Sequence, residues 1–287
     1  MKCLVTGING VIGGNLSNLL VEKFGFVVWG CDREINNGYK HIAIDLMDRD
    51  SVLHLFSKDR FDCVIHCAAD INHSERYSMF TNNIVSTINV VEASLASGVK
   101  KVFHTSGVPV IGKILQLPIT EEHPTAPLTA YHLSKFHSEQ LIEHYCKDKV
   151  DFINMRIPSP VGRNMPPRSI FPIFLDKIKR NETITLMGVP GHKQNYLDLR
   201  DLASFIYKAS IADGVSGLFN VAARKSYSNS ELAEAFIQRI GSKSKIVNNM
   251  AESSPGLHNW DVCTKKACER FGYVPEHSLD DTIDWVL

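Results

Sequence analysis

From its first residues the chain alternates short apolar runs with stretches whose apolar side chains recur every three or four positions. Cys3-Leu4-Val5 reads as a first strand, Phe26-Val27-Val28-Trp29-Gly30-Cys31 as a second, His41-Ile42-Ala43-Ile44 as a third and Cys63-Val64-Ile65-His66-Cys67 as a fourth. Between them, Asp48 to Lys58 has helical character. Over Thr81 to Ser97, Ile84, Val85, Ile88, Val91 and Leu95 keep helical spacing, and Gly98 is placed to end the helix. Lys101 to Thr105 predicts a fifth strand, Thr129 to Cys146 a long helix, and Asp151 to Ile157 a sixth strand. Parallel neighbours need crossover helices, so this order predicts an α/β fold with a doubly wound parallel sheet.

Beyond Ile157 the rhythm breaks. Pro158, Pro160, Pro166, Pro167 and Pro172, then Pro190 and Gly191, interrupt polar pieces, and a second lobe is expected to begin there. Ser228-Asn229-Ser230-Glu231 has the spacing of a capping box ahead of Leu232 to Ile240. Gly272 would close a helix over Thr264 to Phe271, and a last helix spans about Leu279 to Leu287. The second lobe is therefore small.

Charge narrows the function. The 287 residues hold 31 Lys and Arg against 31 Asp and Glu, without long runs of either sign, so nothing favours nucleic acid or a membrane surface. No stretch is long and apolar enough to span a bilayer, and the chain enters a strand without a leader, so a cytoplasmic protein is expected. The seven cysteines lack the paired spacing of a zinc site and are expected reduced. Cys63, His66 and Cys67 do not make a metal site either: in a strand the two thiols share one face and the imidazole takes the other. No metal is expected.

Two groups of residues carry chemistry. Gly7, Gly10 and Gly13 follow the first strand and open a helix, so that the backbone can approach a pyrophosphate, and the N–H groups of Val11, Ile12 and Gly13 face it. Asp32, about twenty residues on, is placed to bind an adenosine ribose. Acid in that place favours NAD, whereas Arg33 beside it can accommodate the extra phosphate of NADP. The second group is Tyr131 and Lys135, on one face of a helix, where a neighbouring ammonium would make the phenol more acidic and fit it for proton exchange with a hydroxyl.

Together these motifs resemble the extended short-chain dehydrogenase/reductases of the NAD-dependent epimerase/dehydratase family, over nearly the whole length. The family's adenine-contacting pair corresponds to Asp45-Leu46, its fourth-strand ending to His66-Cys67-Ala68-Ala69, its helix-borne asparagine to Asn83, and its Tyr-x-x-x-Lys pair to Tyr131 and Lys135. The resemblance implies a Rossmann domain over residues 1–157, with 196–222 returning to it, and a substrate lobe from 158–195 and 223–287. It adds Thr105 and Pro158 to the cofactor side. It implies reversible hydride transfer at a sugar carbon, with Tyr131 exchanging the proton and Lys135 also binding the nicotinamide ribose, in a homodimer that pairs the helices Thr81 to Ser97 and Thr129 to Cys146.

The chain also departs from the family's pattern. The family's catalytic hydroxyl falls on Gly107, within Thr105-Ser106-Gly107-Val108-Pro109-Val110-Ile111-Gly112, so Ser106 becomes the candidate replacement, with Thr105 as a second. The family's Tyr in that stretch is Ile111. Val108-Pro109 stand where dehydratases carry Asp-Glu, which sets dehydration aside. A phosphate-binding arginine aligns with Gln194, the asparagine after the sixth strand with Ser159, and a second arginine has no counterpart near Pro255 to Asp261. Arg163 and Arg168 are candidates to take over. Three readings stay open: an epimerase or ketoreductase of a nucleotide-activated sugar, a reductase of a non-sugar carbonyl, and a dinucleotide-binding sensor or structural subunit whose chemistry has decayed.

Overall fold

The structure is a computed structural model and describes residues 1–35, 40–187, 192–249 and 259–287. Pro190, Gly191 and Pro255 lie outside the described residues. In chain order the elements are β1 (Lys2–Thr6), α1 (Val11–Phe24), β2 (Val27–Asp32), β3 (Lys40–Ala43), α2 (Arg49–Lys58), β4 (Cys63–His66), α3 (Arg76–Ser97), β5 (Lys101–Gly107), α4 (Ala130–Cys146) and β6 (Asp151–Ile157). They continue as β7 (Ser159–Val161), α5 (Ile170–Lys179), β8 (Ile184–Met187), β9 (Lys193–Gln194), β10 (Tyr196–Asp198), α6 (Leu199–Ser210), β11 (Gly217–Asn220), β12 (Tyr227–Ser228), α7 (Asn229–Ile240), β13 (Ile246–Asn249), α8 (Lys265–Phe271) and α9 (Leu279–Val286).

Seven strands form one parallel sheet in the order β11-β6-β5-β4-β1-β2-β3. Because successive side chains point to opposite faces, each central strand feeds two cores. Cys3, Val5, Ile65, Phe103 and Met155 pack on one side with Leu16 and Leu20 of α1, Phe205 and Ile206 of α6, and Ala267 and Phe271 of α8. Leu4, Val64, Val102 and Phe152 pack on the other with Val52 and Phe56 of α2, Val90 and Val91 of α3, and Ile142 of α4. The sheet is thus wound on both faces, and the chain reverses direction across it between β1 and β4, where the carboxyl ends of the strands open a crevice.

A third core is separate, built from Val161, Phe171, Phe174, Leu232, Phe236 and Ile283. The small pairs β10-β7, β12-β9 and β13-β8 brace this region, and none of them is apparent in the hydrophobic pattern. Helix ends follow local chemistry: Asp48, Thr129 and Ser228 cap α2, α4 and α7 with side-chain oxygens, the last in a full capping box. Helix α3 begins at Arg76, five residues before the sequence expectation, since its polar first turn has no apolar periodicity. Among the described residues no helix is long and apolar enough to cross a membrane, and all seven cysteines are free thiols.

Candidate active site

The glycine turn joins β1 to α1 so tightly that side chains are excluded. Gly7 has φ +69, and a Cβ there would stand 2.7 Å from the backbone N and Cα of Ala68; a Cβ on Gly13 would collide with the carbonyl oxygen of Gly7. The turn is pinned by Gly7 N donating to Cys31 O at 2.9 Å and Gly10 N to Gly7 O at 3.0 Å. Gly10 caps α1 without a side chain, so the N–H groups of Val11, Ile12 and Gly13 have no partner within the helix and their dipoles sum toward the crevice. Asp32, at the end of β2, accepts from Asn9 N at 3.1 Å and Arg33 N at 2.8 Å, which fixes the carboxylate at the rim.

A cleft of about 800 Å³, open mouth included, runs along these strand ends. It is lined by ten of the expected cofactor residues: Gly7, Gly10, Asp32, Arg33, Asp45, Leu46, Cys67, Ala68, Ala69 and Asn83. Sequence reasoning missed Cys31, Ile44, Met47, Asp70, Asn82 and Ser86, which also line it. Of these, Asp70 was within reach, because it directly continues the Cys67-Ala68-Ala69 strand ending. Its N–H donates to Asn83 Oδ1 at 2.6 Å, and Asn83 Nδ2 donates to Ser134 Oγ at 2.9 Å. Asn83 therefore ties the cleft to α4, one turn of which carries Tyr131 and Lys135.

The ionisation of that pair differs from the sequence expectation. Burial pushes the half-buried Tyr131 phenol up to about 12. Burial also pushes Lys135 down to about 8, opposed by the neighbouring Cys67 and Glu139. The ammonium thus bears on Cys67 and Glu139, and acidification of Tyr131 by Lys135 is not found. Tyr131 instead has two imidazoles close by, with ring centroids 6.0 Å from His73 and 5.4 Å from His132.

Beneath Lys135 lies a polar layer inside the sheet. His66 accepts or donates with Thr6 Oγ1 at 2.8 Å and Thr87 Oγ1 at 3.2 Å, and stacks on His104 with centroids 5.9 Å apart. Burial first, then Lys135, holds His66 down to about 3, and the same causes hold His104 well below the imidazole range. Arg156 and Glu139 form a buried bidentate pair at 3.0 and 2.8 Å. The signal for this pair was present: Asn154 and Arg156 interrupt an otherwise apolar central strand, and Glu139 falls one turn beyond Lys135 on the same helix.

The candidate hydroxyls are buried and bonded within the protein. Ser106 donates to Glu139 Oε1, and Thr105 donates to His66 O at 3.2 Å. A second cavity is lined by Pro109, Gly112, Leu128, Thr129, His132, Pro158, Ser159, Gln194 and Trp260, and it brings Ser159 and Gln194 together at 3.3 Å. Pro158 faces this cavity, not the first. Arg163 is turned away: its Nε donates to Trp285 O at 3.2 Å and its guanidinium lies over the Trp285 ring. Arg168 lines another hollow with Arg33, Asp70 and His73.

The model of the NAD dependent epimerase/dehydratase family matches residues 3–222. A putative UDP-glucose 4-epimerase of Methanocaldococcus jannaschii is 27% identical over 99% of this chain and 96% of its own. A dTDP-4-dehydro-6-deoxyglucose reductase of Escherichia coli is 25% identical over 99% and 96%. In fold, the chain is similar to the Thermotoga maritima UDP-glucose 4-epimerase crystallised with UDP-glucose, at TM-score 0.89, 22% identity and coverage of 99% and 98%. The glycine cradle, the acid that ends β2 and the match over three quarters of the chain together make this protein a member of the NAD-dependent epimerase/dehydratase family.

Proposed function

We propose that this chain is an NAD-dependent sugar epimerase or ketoreductase that works by reversible hydride transfer at a carbinol carbon of a nucleotide-activated sugar. The observation that supports the reading is the run of hydrogen bonds from the glycine-lined cleft through Asn83 and Ser134 to the backbone carbonyl of Tyr131, which joins the helix of the proposed proton-exchanging group to the proposed dinucleotide cradle. The cradle fits NAD: its glycines leave no room for a Cβ, and Asp32 stands where it would repel a 2′-phosphate. When bound, the nicotinamide supplies hydride acceptance and return. Gly7, Gly10, Val11, Ile12 and Gly13 would hold the pyrophosphate, Asp32 and Arg33 the ribose end, and Asp45, Leu46, Cys67, Ala68, Ala69 and Asn83 the cleft wall.

Tyr131, protonated while buried, is the acid that completes reduction of a carbonyl, and it takes the proton back in the reverse direction. Lys135 is a donor held next to Cys67. Ser106 serves as a positioning residue through Glu139. The substrate enters along Ser159 and Gln194 in the second cavity. The epimerase and the ketoreductase differ in whether the keto intermediate is kept or released. The 4-epimerase relatives support the first, and the Escherichia coli reductase supports the second.

A non-sugar carbonyl is the second reading, favoured because the described lining of the second cavity carries no arginine or lysine to meet a diphosphate. We further assign residues 1–157 and 196–222 to the cofactor lobe and 158–195 and 223–287 to the substrate lobe, with α8 packed against the former. A cytoplasmic homodimer completes the proposal. Val90 and Val91 face their own core, so the pairing surface would use the outer faces of α3 and α4, where Tyr77 and Leu133 are exposed.

The test combines release of bound pyridine nucleotide from the purified protein with turnover on UDP- and dTDP-hexoses, their 4-keto forms and simple ketones. Bound NAD and turnover confined to the nucleotide sugars are expected. Turnover of simple ketones alone would select the second reading, and absence of any pyridine nucleotide would reject both.

A further inference from the structure

Reduction of a carbonyl builds negative charge on its oxygen, and one phenol cannot both deliver a proton and fix the direction of the C=O bond. A second donor is therefore needed beside Tyr131. The segment that ends β5 does not provide it: Thr105 is bonded to His66 O, Ser106 to Glu139, Gly107 has no side chain, and Val108 to Gly112 are apolar.

The residue after Tyr131 is differently placed. His132 is half-buried, lines the second cavity with Pro109, Pro158, Ser159 and Gln194, and holds its ring 5.4 Å from that of Tyr131. Its orientation is fixed by the cap of its own helix. Thr129 Oγ1 accepts from His132 N at 3.1 Å and lies 3.0 Å from His132 Nδ1. The Thr129 hydroxyl still has its proton to give, and in the tautomer where it donates to Nδ1 the ring carries its own proton on Nε2. Nε2 has no protein partner among the described residues. Burial first, then His73, keeps this imidazole below its usual range, so it is a neutral donor at pH 7.

We propose that His132 is a further catalytic residue, whose Nε2–H donates a hydrogen bond to the reacting oxygen of the substrate and does the work that Gly107 cannot. Rested on the nucleotide-sugar reading above, the assignment needs no added reactant: Tyr131 gives and regains the proton, and His132 keeps its own. The neutral imidazole is pre-aligned by Thr129, as a donor that stabilises developing charge must be.

Gly107 makes the test sharp. It has an extended φ of −131, and a Cβ there would meet Pro109 Cδ at 3.3 Å and Ile157 O at 3.8 Å, so a serine fits with a small shift of the prolyl ring. Turnover of the nucleotide sugar is measured for the wild type, His132→Ala, Gly107→Ser and the double variant, with NAD content as the check on folding. The expected result is a kcat about 100-fold lower for His132→Ala at unchanged KM and NAD content, with Gly107→Ser restoring at least about tenfold in that background. A His132→Ala kcat within about twofold of wild type overturns the proposal while leaving the functional reading intact. A loss that Gly107→Ser does not repair also overturns it. A wild type inactive on every nucleotide sugar removes the functional reading, and this assignment with it.

Discussion

The two cavities are built on different principles. The cofactor cleft is built around backbone at consecutive strand ends, with Gly7 and Cys67 to Ala69 directly following β1 and β4 and Gly10 capping α1. The second cavity draws single side chains from segments as distant as Pro109, His132, Gln194 and Trp260. A site made of backbone tolerates no added atom, whereas a site made of side chains can be retuned one residue at a time. The family's variety of substrates on a shared cofactor scaffold follows from that difference.

The largest effect should come from the polar layer that supports both cavities. Glu139→Ala would leave Arg156 with an unpaired buried charge, and its Nη1 has no hydrogen-bond partner among the described residues. A loss of about 3–5 kcal/mol in unfolding free energy is expected from denaturant titration. Next, Gly13→Ala should weaken NAD binding by about 100-fold or more, roughly 3 kcal/mol by calorimetry, because the methyl group meets the Gly7 carbonyl.

Lys135→Met should abolish turnover yet stabilise the cofactor-free protein at pH 7, by about 2 kcal/mol. The sign follows from the depressed pKa. Lys135 sits at about 8 when folded against 10.5 free, so stability is full above pH 10.5 and declines as pH falls from 10.5 to 8. The variant should lack that slope. His66 behaves likewise lower down: held at about 3 against 6.5, it contributes stability above pH 6.5 that is lost as pH falls toward 3. His66→Gln should flatten that part of the melting-temperature profile.

The smallest effect is on the adaptable side. Gln194→Arg should tighten a nucleotide sugar by about tenfold, near 1.4 kcal/mol, since it adds a charged donor for phosphate to a wall without one. No gain in affinity would weaken the nucleotide reading and sharpen the case for a smaller carbonyl substrate.

The same contrast explains what was legible in the sequence. The parallel sheet, most helix ends and the cleft residues Gly7, Gly10, Asp32 and Arg33 could be read because strand-helix alternation and glycine spacing are local signals, whereas Asp45, Leu46, Cys67, Ala68, Ala69 and Asn83 come from the family resemblance. The strand pairs β10-β7 and β13-β8 join segments far apart in sequence and leave no periodic trace. Ser106 illustrates the limit: its place near Gly107 was plain, but that its hydroxyl faces Glu139 depends on the pleat of β5 and the packing of α4. Arg163 fails for a similar reason, since only the folded chain shows Trp285 beneath it. The ionisation of Tyr131 is not legible, because helical spacing alone fixes a shared face and says nothing of burial.

The central claim, that Tyr131 exchanges the proton during hydride transfer, is tested most directly by single turnover of the NAD-loaded protein with a nucleotide sugar, following reduced nicotinamide by absorbance in wild type and Tyr131→Phe. The account predicts a rise and fall of the reduced form in the wild type and a rate at least about 1,000-fold slower in the variant, with NAD still bound. An undiminished rate in Tyr131→Phe would contradict it.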